Sequence, residues 1–283
     1  MPPLRQKMID VMLLRGYSPR TQQSYLAAMR DLCRYTHRSP DTLSSTDLQA
    51  YFLHLVKERK LAPASCRLIL NAIRFFYLDV LGWKGFEVEL RTPKKPQRIP
   101  ELLSHDEVLR LLDACHNLKH HTLLCTVYAC GLRVSEAVHL QVKHIDSDRN
   151  TLRIEQGKGA KDRHVILTPG LLHCLRHYWQ RYRPDPWLFY GATKDRPLGI
   201  TSAQRAFTAA KHRAGIHKDG GIHSLRHAYA THQLEAGVPV NQLQTLLGHK
   251  DLHSTMRYVH WLPHTQQHGQ ACDLLRGEVR HEA

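Results

Sequence analysis

The chain has 283 residues, 42% hydrophobic and 23% charged, an ordinary soluble globular composition with room for one large domain or two smaller ones. Forty Lys+Arg against 25 Asp+Glu give a net charge of +15, which favours a polyanionic partner, nucleic acid foremost. No run approaches the ~18–20 apolar residues of a membrane span. The N-terminal residues lack the apolar core of a secretory signal. Of the seven cysteines, Cys33, Cys66, Cys115 and Cys125 sit inside apolar helical patterns and read as buried thiols in a reducing compartment. A cytoplasmic protein is expected.

Residues 1–91 read as a helical module. Ser18-Pro19 is a cap with proline at the first helical position, and Tyr25, Met29, Leu32 and Cys33 follow at helical spacing. Thr46 and Gln49 fit a capping box ahead of the stripe Leu48, Tyr51, Phe52, Leu55 and Val56. A third helix follows Pro63 and faces Ile69, Ala72, Ile73, Phe76, Tyr77 and Val80 inward until Gly82. Arg20, Arg30 and Arg34 lie among further basic residues between these stripes, suited to DNA phosphates. Residues 92–100 carry three prolines together with Lys94, Lys95 and Arg98, and read as a short basic linker. Joining two basic lobes, it would let them close around a duplex.

Beyond the linker, residues 101–265 read as a larger, mainly α domain with a small antiparallel β-sheet. Ser104 and Glu107 form a capping box before Val108, Leu111, Leu112 and Cys115. A helix around 120–130 leads into Gly131-Leu-Arg-Val-Ser-Glu136. Strands are expected over 151–156 and 163–167, flanking a turn at 157–162, with a shorter strand near 142–145. Helical spacing returns at Leu171–Tyr182 and at Ala203–Ala210. Residues 266–283 form a tail in which Leu274, Leu275 and Val279 suit a short helix docking on a neighbouring protomer.

The chemistry concentrates late in the chain. Arg133 can present its planar fork to a phosphate with Glu136 holding it from behind. Lys158, between Gly157 and Gly159, can reach into a groove and protonate a leaving oxygen, with Lys161 as its competitor. His223 and Arg226 share one face at a helix start, where an anion is favoured. His227 reads as support. Gly248 fits a helix C-terminus, with His249 opening the next turn. Tyr258 lies where Met256 and Val259 look buried. Taken singly, each of these has an ordinary structural reading. Together, a phenol, two arginines and two histidines are the parts needed to attack a phosphodiester without a metal.

That combination, namely Gly131–Glu136, Gly157-Lys-Gly159, His223-Ser-Leu-Arg-His227, Leu247-Gly-His249 and Tyr258 in order, resembles the tyrosine recombinase (phage integrase) family. The likeness is nearest to its compact Xer-type and mobile-element-associated members. The resemblance implies a SAM-like helical core-binding domain followed by a catalytic domain. It also implies that Arg133 and Arg226 clamp the scissile phosphate, and that His223 and His249 hydrogen-bond it or move a proton. Lys158 would be the general acid, Tyr258 the nucleophile forming a 3′-phosphotyrosyl link, and Glu136 a supporting residue. Its partners would be double-stranded DNA and further copies of the chain, two on a site and four in a synapse, with no membrane and no nucleotide. No cofactor or metal is expected.

Two rival readings share the DNA partner: a type IB-like topoisomerase and a DNA-binding regulator without catalysis. The short linker and compact helical module favour recombination over the first, and the full set of reactive residues argues against the second. A zinc protein built on Cys115, His120, His121 and Cys125 is disfavoured, because their spacing fits no common zinc pattern.

Overall fold

The computed structural model describes residues 2–83, 100–155 and 162–262. The expected sites Lys94, Lys95, Lys158 and Lys161 lie outside these residues, as do most of the linker and the 266–283 tail. The chain divides into two compact units, Met1–Arg98 and Ile99–Ala283, and is mainly helical with one small sheet, the expected fold class.

The first unit is built from α1 (Pro2–Leu14), α2 (Pro19–Thr36), α3 (Ser45–Lys57) and α4 (Pro63–Phe75). Its core gathers Met8, Met12, Leu32, Leu48, Tyr51, Leu55, Ile73, Phe76 and Tyr77. Ser18 caps α2 as expected, its side chain accepting from the Thr21 amide. The α3 capping box sits two residues earlier than the sequence suggested. Ser44 accepts from the Asp47 amide, and the Ser44 amide donates to Asp47 Oδ2 at 2.8 Å. The earlier register wins because it places Leu43 just before the cap and Leu48 in the next turn. Both are buried in the same core, forming a hydrophobic staple that Thr46 as cap would not provide. Helix α4 ends its α-helical stretch at Phe75 and continues as a π-turn over Phe76–Val80, closed by the Leu81 amide donating to the Phe76 carbonyl.

Arg20, Arg30 and Arg34 are exposed on α2 and cover about 80° of its circumference at 3.6 residues per turn. Among the described residues none of the three forms an ion pair, whereas Arg38 pairs with Asp47 and Arg59 with Asp31. The unit therefore keeps one arginine face unneutralised.

The second unit opens with α5 (His105–Asp113), whose capping box is Ser104 with Glu107, and α6 (Leu118–Ala129). The five-residue α7 (Val134–Val138) follows Arg133. The antiparallel sheet has order β1 (Ile145–Asp146), β2 (Thr151–Ile154), β3 (Arg163–Ile166). In register, Leu152 pairs with Val165 and Ile154 with Arg163, so Leu152, Ile154 and Val165 enter the core together. The short strand begins later than expected because Val142–His144 form a 3-10 turn. That turn is fixed by the Val142 amide on the Pro186 carbonyl and the Gln141 amide on His144 Nδ1.

Helices α8 (Pro169–Tyr182), α9 (Ile200–Arg213) and α10 (His223–Glu235) complete the main core, with Leu175, Tyr178, Phe207 and Leu225 inside. A smaller cluster carries the end of the described chain. Tyr229 and Ala230 of α10, Leu243 and Leu247 of α11 (Val240–Leu247) and Tyr258 of α12 (His253–Val259) pack together against Trp261. On α12 the buried residues are Thr255 and Tyr258, while Met256 and Val259 are only half-buried, contrary to the expectation.

Candidate active site

Two glycines make room for the site. Gly131 ends α6 with φ +59°, and a Cβ there would fall 2.4 Å from the Tyr229 ring. It turns the chain so that Arg133 starts the next helix and leaves the Gly131 carbonyl for Arg226. Gly248 ends α11 with φ +63°, and a Cβ there would lie 2.9 Å from Arg163 Cδ. A side chain at Gly131 would push on the Tyr229 ring and one at Gly248 on Arg163, and either would strain the backbone.

Glu136 is the hub of that framework. Its carboxylate accepts from Arg133 Nη1 at 2.6 Å, from the Arg133 amide at 2.9 Å, and from Arg163 Nη1 and Nη2 at 3.0 and 2.8 Å. Arg226 Nη1 stands 3.8 Å away. Burial alone would raise the Glu136 carboxyl, but Arg163 and then Arg133 hold it down at about 2. It is an anion at every working pH. The Glu136 and Arg163 side chains are 5% and 9% exposed, against 21% for Arg133. Arg133 is thus held from behind with part of its fork facing outward.

Arg226 is 1% exposed. It donates to the Gly131 carbonyl at 2.6 Å, the Leu247 carbonyl at 2.7 Å and His249 Nε2 at 3.1 Å. These contacts fix the guanidinium plane while leaving some of its five N–H groups for a ligand. Burial first, and then Arg133, lower its pKa to about 10, so it stays charged at neutral pH. Because Arg226 donates to Nε2, His249 must carry its proton on Nδ1, where Thr255 Oγ1 accepts it at 2.8 Å. Burial, with Arg226 and Arg133 adding to it, holds His249 at about 4, a neutral ring. His223 opens α10 at the exposed rim. Partial loss of solvation against the pocket wall lowers its pKa, and Arg226 and Arg133 push it the same way.

Tyr258 is 4% exposed. Its ring stacks parallel to His249 at 6.2 Å and meets Trp261 edge-on at 5.1 Å. Burial raises the phenol above its ordinary value, although Arg226, through its charge and a hydrogen bond, and Arg257 pull the other way. The hydroxyl lies 3.2 Å from His227 Nδ1. Burial and then the neighbouring His223 push His227 to about 3, a neutral ring whose Nδ1 accepts the phenolic hydrogen bond in the tautomer protonated on Nε2. Arg133, His223, Arg226, His249 and Tyr258 all line one cavity of about 330 Å³, with Lys250, Arg257 and Trp261 on its wall. A cavity with several cations, neutral imidazoles and one phenol is suited to binding a phosphate diester and attacking it.

Three contributors were not singled out from sequence. Arg163 carries the Glu136 carboxylate from a β-strand and has no motif to mark it. Trp261 supports the tyrosine ring. His227, read as mere support, is the nearest ring nitrogen to the Tyr258 hydroxyl, and only the turn of α10 brings it there.

Comparisons with known proteins identify the family. The phage integrase family profile matches residues 101–264, and the profile for its N-terminal SAM-like domain matches residues 4–84. A putative integrase/recombinase, y4qK, of Sinorhizobium fredii is 45% identical over 92% of this chain and 84% of its own length. Tyrosine recombinase XerD of Yersinia pestis is 33% identical over 91% of this chain and 92% of that protein. The crystal structure of XerA recombinase superposes with TM-score 0.55 at 25% identity, covering 94% of this chain and 95% of that one. A lambda integrase dimer bound to a COC′ core site shares the fold with TM-score 0.75 at 18% identity, over 91% and 94% of the two chains. The chain therefore belongs to the phage integrase family and is a tyrosine recombinase.

Proposed function

We propose that the chain recombines DNA at specific sites by cutting and rejoining each strand through a 3′-phosphotyrosyl intermediate, with Tyr258 as the nucleophile. The observation that carries this reading is the Tyr258 hydroxyl between His227 Nδ1 and Arg226, in the cavity that Arg133 also lines. The phenolic proton passes toward the neutral His227 ring as the phenol oxygen attacks phosphorus. The new Tyr–O–P bond forms while the P–O5′ bond breaks, and the 5′-oxygen takes a proton from a general acid. Lys158 is assigned that role by resemblance alone. Arg133 and Arg226 offset the charge that builds on the non-bridging oxygens, the work that a divalent cation performs in many nucleases. Neutral His223 and His249 donate or accept without adding charge. The covalent link conserves the phosphodiester energy, so rejoining requires no ATP.

The remaining assignments extend this reading. Residues 1–91 form the core-binding domain, whose Arg20, Arg30 and Arg34 contact DNA phosphates together with Lys94, Lys95 and Lys161. Residues 92–100 are the linker, residues 101–265 the catalytic domain, and residues 266–283 dock on a neighbour. The solved lambda integrases include a dimer on a core site and a tetramer on a Holliday junction, and we assign this chain two protomers per site and four per synapse. No helix among the described residues is long and apolar enough to cross a membrane; we place the protein in the cytoplasm with its DNA.

A nicked suicide duplex carrying the target site tests the proposal. Wild type should accumulate a denaturant-resistant protein–DNA adduct, equally in chelator, whereas Tyr258→Phe should bind the duplex and form none. An adduct formed by Tyr258→Phe, or strict dependence on magnesium, would overturn it.

A further inference from the structure

Away from the catalytic cavity, α6 and α8 bring three metal-ligating side chains together. His121 and Cys125 are four residues apart on α6 and share one face of it. Cys174 projects from α8, which packs against α6. The ligand atoms of the three residues all lie within 4.8 Å of one another. Cys125 Sγ is 3.8 Å from His121 Nδ1, and Cys174 Sγ is 4.0 Å from the same nitrogen. Each of the three side chains is half-buried, so the cluster meets solvent on one side.

These separations fit a tetrahedral soft-metal site. Zinc–sulfur bonds of about 2.3 Å and zinc–nitrogen bonds of about 2.0 Å set S···N edges of about 3.6 Å and S···S edges of about 3.8 Å. The observed edges to His121 need to contract by only a few tenths of an ångström, within the reach of side-chain torsions. Two thiols and an imidazole favour zinc-class cations over magnesium or calcium, which select oxygen. Along the chain, Cys115 and His120 stand beside His121 and Cys125 at a spacing that fits no common zinc pattern. The fold instead supplies Cys174, which no linear pattern joins to them.

We propose that His121, Cys125 and Cys174 bind one zinc-class divalent cation, with the fourth position open to water, and that the ion clamps α6 to α8. The site is separate from the phosphodiester chemistry, which needs no metal. Its consequence is structural. Helix α6 leads through Gly131 into Arg133, so an ion that ties α6 to α8 stabilises the element that presents the clamp. Chelation should therefore lower thermal stability while leaving cleavage at low temperature unchanged.

The test uses the full-length chain, reduced and stripped of metal by chelator. Titration with cobalt(II) should give thiolate-to-cobalt charge transfer and tetrahedral visible bands, saturating at one ion per chain and displaced by zinc. X-ray absorption at the zinc edge should count two sulfurs and one imidazole nitrogen in wild type, a readout that needs no variant. Zinc should also raise the melting temperature by several degrees, as expected for a ligand that binds only the folded state. Cys125→Ser and Cys174→Ser should lose the charge-transfer band, whereas Cys115→Ser should keep it. The chain has 22 histidines, and zinc held by those outside the cluster would show nitrogen and oxygen only. That result, or a band that survives both serine variants, would overturn the assignment.

Discussion

The phosphate-facing and nucleophile-facing halves of the cavity are built differently. On the first, Arg133, Arg163 and Arg226 converge on the nearly inaccessible Glu136, and Arg226 is pinned by two backbone carbonyls. On the second, Tyr258 rides on the seven-residue α12, within a cluster of five buried residues apart from the main core. Its hydroxyl contacts are one imidazole and one arginine. Preorganisation is concentrated on the phosphate-facing half. Cations that meet developing charge are most effective when already fixed, because they need no reorganisation as the reaction proceeds. The nucleophile is held by packing, and burial keeps its phenol protonated in the free protein.

The largest effect should come from disturbing the fixed half. Arg226→Lys keeps the charge but loses the planar fork that reaches Gly131, Leu247 and His249, and should slow cleavage by about 10²–10³-fold. Single-turnover cleavage at saturating DNA checks this. A near-normal rate would mean that charge alone, and not the fixed fork, matters on this side. Glu136→Gln should be next. It leaves buried arginines without their counter-charge and should cost about 3 kcal/mol or more in urea unfolding.

pH separates the two halves. His227 and His249 are held near 3 and 4 in the fold, below the 6.5 of the unfolded chain. Between those values the unfolded state binds more protons. Their stabilising contribution is therefore complete above pH 6.5 and is lost as pH falls toward 4. Glu136, held at about 2 against 4.5, follows the same sign in a lower window. Lowering pH from 7 to 5 should cost on the order of 4 kcal/mol from the two histidines together while leaving Glu136 charged. Thermal melts across pH 4–7, with His227→Asn as control, measure it.

The smallest effect concerns the other unit. Removing Arg30 and Arg34 together should reduce the slope of log affinity against log salt by about 1.8, roughly 0.9 for each phosphate contact. The cleavage rate at saturating DNA should not change.

What the sequence disclosed, and what it did not, follows the same division. Local signals were legible: Ser18, Ser104 with Glu107, and the αL glycine at 248 each depend on residues within one turn. The Thr46–Gln49 box was misplaced because two registers satisfy the same pattern, and only the burial of Leu43 with Leu48 decides between them. Arg163 was invisible as a partner of Glu136, since that ion pair joins a strand to a helix 27 residues away. Tyr258 was marked by its motif neighbours rather than by periodicity; Met256 and Val259, which suggested its burial, are themselves half-exposed.

The most direct test is to digest the covalent protein–DNA adduct with protease and nuclease and sequence the modified peptide by mass spectrometry. A phosphonucleotide is expected on Tyr258, linked through the 3′ end of the cleaved strand. Attachment to any other residue, or through a 5′ phosphate, would contradict it.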